Sequence, residues 1–182
     1  VKLPDAIDRV LLDRETIDAR VEELAAQISQ DYAGVDSLVL VGVLKGAFIF
    51  MADLSRRLTI PHSVDFIALS SYNRGDMEPG AVRLIMDTRT AVTGSHVLIV
   101  EDILDTGHTL DYLVRSFRAR NVASLRTCVL TSKPERLQVE VSVDYLGFEI
   151  PNVWVVGYGL DYADKYRTLP YIAALKEDEY TS

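Results

Sequence analysis

Cysteine is nearly absent. Cys128 is the only one in 182 residues, which excludes an internal disulfide framework and a cysteine-based zinc set. It lies between Thr127 and Val129 in a strand-like run, where it is expected to act as a small buried hydrophobe. Long apolar runs are missing as well: no stretch reaches the length needed to span a bilayer. The first residues show no basic segment followed by an apolar one, so the expected location is the cytoplasm. Positive charge is in the minority, 19 Lys and Arg against 27 Asp and Glu, giving a formal charge of −8 and a pI near 4.9. That balance argues against a general surface for nucleic acid or anionic membrane and leaves room for a local basic pocket. There is also no internal repeat, no low-complexity segment, no Walker A string and no G-x-G-x-x-G after a strand. A chain of this length is expected to form one domain with a sizeable core.

What the chain does contain is one stretch around which the rest is organised, residues 96–110, HVLIVEDILDTGHTL. Val97 to Val100 is a continuous apolar run and reads as a strand buried on both faces, as in parallel sheets. Two acids, Glu101 and Asp102, follow at its end, then Asp105-Thr106-Gly107-His108-Thr109 and a helix from Leu110 to Arg120. Polar groups at a strand's carboxyl end, before a helix, stand where open α/β sheets bind ligands. The turn would aim backbone N–H groups and the Thr106 and Thr109 hydroxyls outward at a helix N-terminus, a site for phosphate. The acids suit sugar hydroxyls or a metal. Phosphate donors beside hydroxyl acceptors fit a ribose phosphate.

The remaining elements read more plainly. Ile17, Val21, Leu24, Ile28 and Tyr32 form an apolar helical stripe, with Asp13 or Thr16 to cap it and Gly34 to stop it. Residues 37–43 read as a buried strand running into Leu44-Lys45-Gly46 and a helix over 47–58. A strand over 62–70 leads to a polar segment, 71–80, punctuated by two glycines and a proline, and 82–86 returns as a hairpin arm. Strands are also expected at 124–130, ending before Lys133, at 143–146 and at 153–156, where Gly157 and Gly159 break the chain into a turn. Residues 176–182 form a charged tail expected to fray.

The string VLIVEDILDTGHTL resembles the signature of the type I phosphoribosyltransferases, and its Glu-Asp pair with Asp-Thr-Gly resembles their hypoxanthine-guanine branch. The resemblance covers about residues 10–175, with its motifs in family order. It implies an α/β fold: a twisted, mostly parallel sheet flanked by helices, in one domain over 1–182. A small hood, built from roughly 1–12 and 150–182, would lie over the carboxyl ends of the strands. It implies a purine-salvage transferase that moves the 5-phosphoribosyl group from phosphoribosyl pyrophosphate to N9 of hypoxanthine or guanine. The products would be IMP or GMP and pyrophosphate, the cofactor Mg2+, and the assembly a homo-oligomer, dimer or tetramer.

The same resemblance assigns roles. Asp105, Thr106, Gly107, His108 and Thr109 would hold the 5-phosphate, and Glu101 and Asp102 the ribose hydroxyls. Asp105 would be the general acid/base at purine N7. Lys45 and Gly46, at a turn that often carries a non-proline cis peptide in the family, would receive pyrophosphate together with Arg167. Lys133, Trp154, Val155 and Asp161 would form the base site, and Glu101, Asp102 and Asp161 would ligate magnesium. Ser71-Tyr72 matches the start of a mobile catalytic loop, so 71–80 would be a lid that keeps water from a carbocation-like sugar. One residue departs from the pattern: His108 stands where many relatives have lysine, although backbone donors can hold a phosphate without that charge.

Two other readings compete. Some proteins of this fold are nucleotide-sensing regulators that bind RNA or DNA, and the missing Lys/Arg cluster weighs against that. A phosphoribosyltransferase for adenine, xanthine or a pyrimidine is the other. Lys133 and Trp154 favour 6-oxopurines, which leaves xanthine open.

Overall fold

The computed structural model describes residues 4–71 and 82–181. The chain opens with β1 (Ile7–Leu12) and α1 (Arg14–Asp31). Asp13 caps α1, accepting a hydrogen bond from the Thr16 amide at 2.8 Å. The stripe Ile17, Val21, Leu24 and Ile28 is fully buried. The chain continues through β2 (Leu38–Leu44), α2 (Phe48–Arg57), β3 (His62–Ser71) and β4 (Val82–Met86). It then passes through β5 (His96–Leu104), α3 (His108–Arg118), β6 (Ser124–Ser132) and β7 (Tyr145–Glu149). Two short strands close it, β8 (Val155–Val156) and β9 (Ile172–Leu175).

The large sheet has the order β4-β3-β2-β5-β6-β7, parallel throughout except for the antiparallel β4. Both faces are covered, which explains the continuous apolar run of β5. Leu98 and Val100 point into a core with α1 and α2, whereas Val97 and Ile99 pack with Leu110, Leu113 and Phe117 of α3. Cys128 is buried in the first of these cores, and burial pushes its thiol up. A second, antiparallel sheet of order β1-β9-β8 draws on both ends of the chain. Among the described residues no helix is long and apolar enough to cross a membrane.

The connections diverge at one place. From β2 the chain crosses through α2 to β3 on one side; from β5 it crosses through α3 to β6 on the other. Such a divergence opens a crevice at the carboxyl ends of the two central strands. The register deepens it: β2 pairs with β5 only as far as Gly42↔Val100, while β5 and β6 stay paired to Leu104↔Ser132. The last residues of β5 are therefore free on the β2 side.

Several boundaries differ from the sequence reading, for identifiable reasons. Glu101 and Asp102 lie inside β5 rather than beyond it, because β6 continues the ladder past them. The strand expected over 153–156 shrinks to Val155–Val156, since the Val153 amide bonds back to the Pro151 carbonyl at 2.9 Å in a turn. The strand expected over 143–146 begins at Tyr145, the Asp144 carboxylate being taken up by the Thr127 amide at 2.8 Å. β9 was not anticipated; it is a four-residue strand held by long-range pairing to β1 and β8. The tail does not fray over its described residues: Glu177–Glu179 form a 3-10 turn, and Tyr180 stacks on Trp154.

Candidate active site

A cavity of about 390 Å³, a volume in the range of small-ligand sites, lies at the carboxyl ends of β5 and β6. Its walls include Asp102, Asp105, Lys133, Trp154, Val155 and Asp161, brought together from four separate parts of the chain. Arg136, Asn152 and Tyr180 also border it, and the sequence reading had singled out none of these three.

The floor is β5. Asp102 projects toward the loop after β2, and a side chain at Gly46 would overlap its carboxylate, so the carboxylate lies against that loop as closely as only glycine permits. Burial raises the Asp102 carboxyl to about 6. Glu101, one residue earlier, alternates to the other face; it is 5% exposed and its Oε2 has no hydrogen-bond partner. Burial, reinforced by the charge of Asp102, holds it well above the usual carboxylate range. Glu101 does not border the cavity.

At the end of β5 the chain turns through Asp105, Thr106 and Gly107 into α3. Gly107 is the N-cap, at φ 92°, and His108 and Thr109 form the first turn of the helix. The segment after β6 clasps this turn from outside. Gln138 and Val139 donate from their amides to the Thr106 carbonyl at 3.0 and 3.2 Å, and the Gln138 side chain lies 3.1 Å from His108 Nε2. In the same segment, Arg136 donates through Nε to Asp105 Oδ1. Lys133 is 8% exposed at the end of β6, with its amide bonded to the Leu104 carbonyl at 2.9 Å. Its burial lowers the ammonium's pKa, and the Asp105 carboxylate works against that shift.

The opposite wall is the loop after β8. Arg167 Nη2 pairs with Asp161 at 2.7 Å and Asp164 at 2.9 Å, while Nη1 donates to the Gly159 carbonyl at 2.9 Å. Lys45 joins from the loop after β2, its Nζ 2.9 Å from Asp164. The peptide bond Leu44–Lys45 is cis. Arg167 and then Lys45 hold the Asp164 carboxyl below its ordinary value. Lys45, Gly46 and Arg167 thus converge, although far apart in sequence. Asp164 was missed, despite following Asp161 by three residues in the same turn. Trp154 and Tyr162 meet edge to face with centroids 5.5 Å apart. Ser71 ends β3; Tyr72 and the expected lid lie outside the described residues.

The site combines a helix N-terminus for an anion, buried carboxylates, two converging cations and a cavity with an aromatic wall and a lysine. Known proteins resemble this chain in sequence and in fold. The phosphoribosyl transferase domain family matches residues 10–163. The hypoxanthine-guanine phosphoribosyltransferase of Dictyostelium discoideum is 48% identical, over 94% of this chain and 97% of that one. That of Bacillus subtilis is 44% identical, over 97% of both. The crystal structure of a hypoxanthine phosphoribosyltransferase from Staphylococcus aureus superposes with a TM-score of 0.92 at 42% identity, covering 98% of this chain and 96% of that one. The chain belongs to the type I phosphoribosyltransferase family, in its hypoxanthine-guanine branch.

Proposed function

We propose that this chain transfers the 5-phosphoribosyl group from phosphoribosyl pyrophosphate to N9 of hypoxanthine or guanine, releasing pyrophosphate in purine salvage. The observation that carries the reading is the pairing, across one cavity, of Lys133 and Trp154 with the Asp105 turn at the start of α3. A base held by the first pair lies next to a sugar phosphate held by the second.

The residues divide the work. Amides at the start of α3, with Thr106, Gly107, His108 and Thr109, receive the 5-phosphate. Asp102 accepts from the ribose hydroxyls at the cavity wall, whereas Glu101, expected to share that role, is buried beside it and does not border the cavity. Lys45, Gly46 and Arg167 take the pyrophosphate, which competes with Asp164 for the two cations. In the reaction the N9–C1′ bond forms as the bond from C1′ to the pyrophosphate oxygen breaks. Asp105 accepts the N7 proton of the base, and Arg136 holds one of its oxygens in place. Lys133 donates to the 6-oxo group, Trp154 stacks on the ring, and Val155 offers main-chain groups at its edge.

The donor set fits Mg2+. Asp102 and Asp161 both border the cavity, and among the described residues no cluster of three metal-binding side chains exists. One or two carboxylates, with the remaining positions filled by substrate oxygens and water, is the usual protein contribution to that ion. Asp161 and Asp102 would hold it, with Glu101 behind them; when bound it neutralises the departing pyrophosphate. We also infer a dimer or tetramer from family membership, and light scattering reads it directly.

A panel of purine and pyrimidine bases, assayed with phosphoribosyl pyrophosphate and Mg2+, tests the reading. Turnover of hypoxanthine and guanine is expected, with little of adenine or the pyrimidines. Preference for adenine or a pyrimidine overturns it.

A further inference from the structure

Tyr180 stacks on Trp154, with ring centroids 5.6 Å apart and planes inclined by 27°. Tyr162 meets the same indole edge-on, and its hydroxyl donates to the Glu179 carbonyl at 2.8 Å, next to Tyr180 in the chain. The segment is anchored upstream as well. The Lys176 amide donates to the Ala6 carbonyl at 3.0 Å, and the Leu175 amide to the Trp154 carbonyl at 2.9 Å. Tyr180 therefore reaches Trp154 from a fixed backbone, and both rings border the cavity. Trp154 itself is 47% exposed and lies just outside β8, so protein atoms leave much of it uncovered.

We infer that Tyr180 is a positioning residue of the base site. By stacking on Trp154 it fixes the plane of the indole and covers one of its two faces, leaving the other for a planar base. The inference rests on the reading of Trp154 as the base-stacking residue. A half-exposed indole would otherwise sample several rotamers, and a base would have to order it on binding. An indole already ordered by its neighbours spares the base that cost. The benefit falls on binding of the base rather than on bond making at C1′ or proton transfer at Asp105. It therefore appears in KM for the base and not in kcat.

Trp154 is the only tryptophan, so intrinsic fluorescence reports this indole alone. Tyr180→Ala is expected to lower the fluorescence anisotropy of the ligand-free protein and to raise KM for hypoxanthine by about 3- to 10-fold, the range of one aromatic pair. The kcat and the KM for phosphoribosyl pyrophosphate should stay close to wild type. Tyr180→Phe, which keeps the ring, should match wild type in both readouts. Wild-type anisotropy and hypoxanthine KM in Tyr180→Ala overturn the inference. If that variant fails to fold, Tyr180→Leu fills much of the space without a flat ring, and its equality with wild type is equally decisive. Trp154→Leu separates the two claims. If it leaves KM for hypoxanthine unchanged, the base-stacking reading fails and this inference with it. If it raises KM, and Tyr180→Ala raises it by the same factor again on top, Tyr180 acts elsewhere and only the inference falls.

Discussion

The α-carbon of Gly159 sits directly over the carbonyl oxygen of Gly46, so closely that a methyl group there would overlap it. This contact joins the loop after β8 to the cis-containing loop after β2, and Arg167 reinforces it by donating to the Gly159 carbonyl. The two halves of the proposed pyrophosphate site are thus set against each other through backbone.

Gly159→Ala should disturb that site. The position has φ 103°, where a residue with a Cβ is strained by about 1–3 kcal/mol, and the new methyl would also push the Gly46 carbonyl. KM for phosphoribosyl pyrophosphate is expected to rise about tenfold or more, with hypoxanthine affected less. Equal KM values for both substrates relative to wild type would show that the contact does not matter to binding.

Asp105→Asn should cost chemistry more than affinity. The amide preserves the shape of the turn but cannot take up a proton, and general acid/base groups contribute about 10²–10⁴-fold. A fall in kcat of that order is expected, with the Kd for phosphoribosyl pyrophosphate altered far less in calorimetry. Near-normal kcat with hypoxanthine rejects Asp105 as the base.

Lys133→Met should remove the selection for an oxygen at purine position 6. The ammonium has donors only, so it pairs with a carbonyl and opposes the amino group of adenine. Because Lys133 is 8% exposed, neither group recovers a bond to water easily. Sites of this kind discriminate by about 10⁴–10⁵-fold. The variant is expected to lose most of its kcat/KM for hypoxanthine while binding phosphoribosyl pyrophosphate normally. Comparable wild-type kcat/KM for adenine and hypoxanthine would remove Lys133 from the base site.

Asp65 gives stability a defined pH dependence away from the active site. Burial alone would raise its carboxyl, but hydrogen bonds from the Thr90 and Phe66 amides, at 2.7 and 2.8 Å, outweigh that and lower it. With the folded value below the unfolded one, the stabilisation is complete above the ordinary value of 3.8 and disappears as pH falls through the folded value. Asp65→Asn should therefore lose about 1–2 kcal/mol near neutral pH. Urea denaturation should find the gap from wild type closing on acidification below 3.8; a gap independent of pH assigns the loss to packing instead.

The central strand, the turn into α3 and the stripe of α1 were legible in the sequence because local pattern fixes them. A four-residue apolar run, an acid pair and a glycine before a helix have few structural solutions. The sequence also located Lys45, Lys133, Trp154, Asp161 and Arg167 through family motifs, without saying how far apart they would lie. That was decided in three dimensions. The divergence of crossovers from β2 and β5 opens the crevice, and the register difference beyond Val100 leaves the end of β5 exposed to it. Arg136 reaches Asp105, Asp164 gathers Lys45 and Arg167, and Tyr180 lies on Trp154 across separations that no local spacing encodes. β9 was missed, and the charged tail was expected to fray, for the same reason. IAAL has little strand preference of its own, and EDEY reads as solvated; pairing with β1 and β8 orders the first, while the Trp154 ring against Tyr180 and the Tyr162 hydroxyl on the Glu179 carbonyl order the second. The sequence by itself determined which chemical groups are present and which elements carry them; only the tertiary structure decided which groups meet, because long-range pairing and packing set those distances.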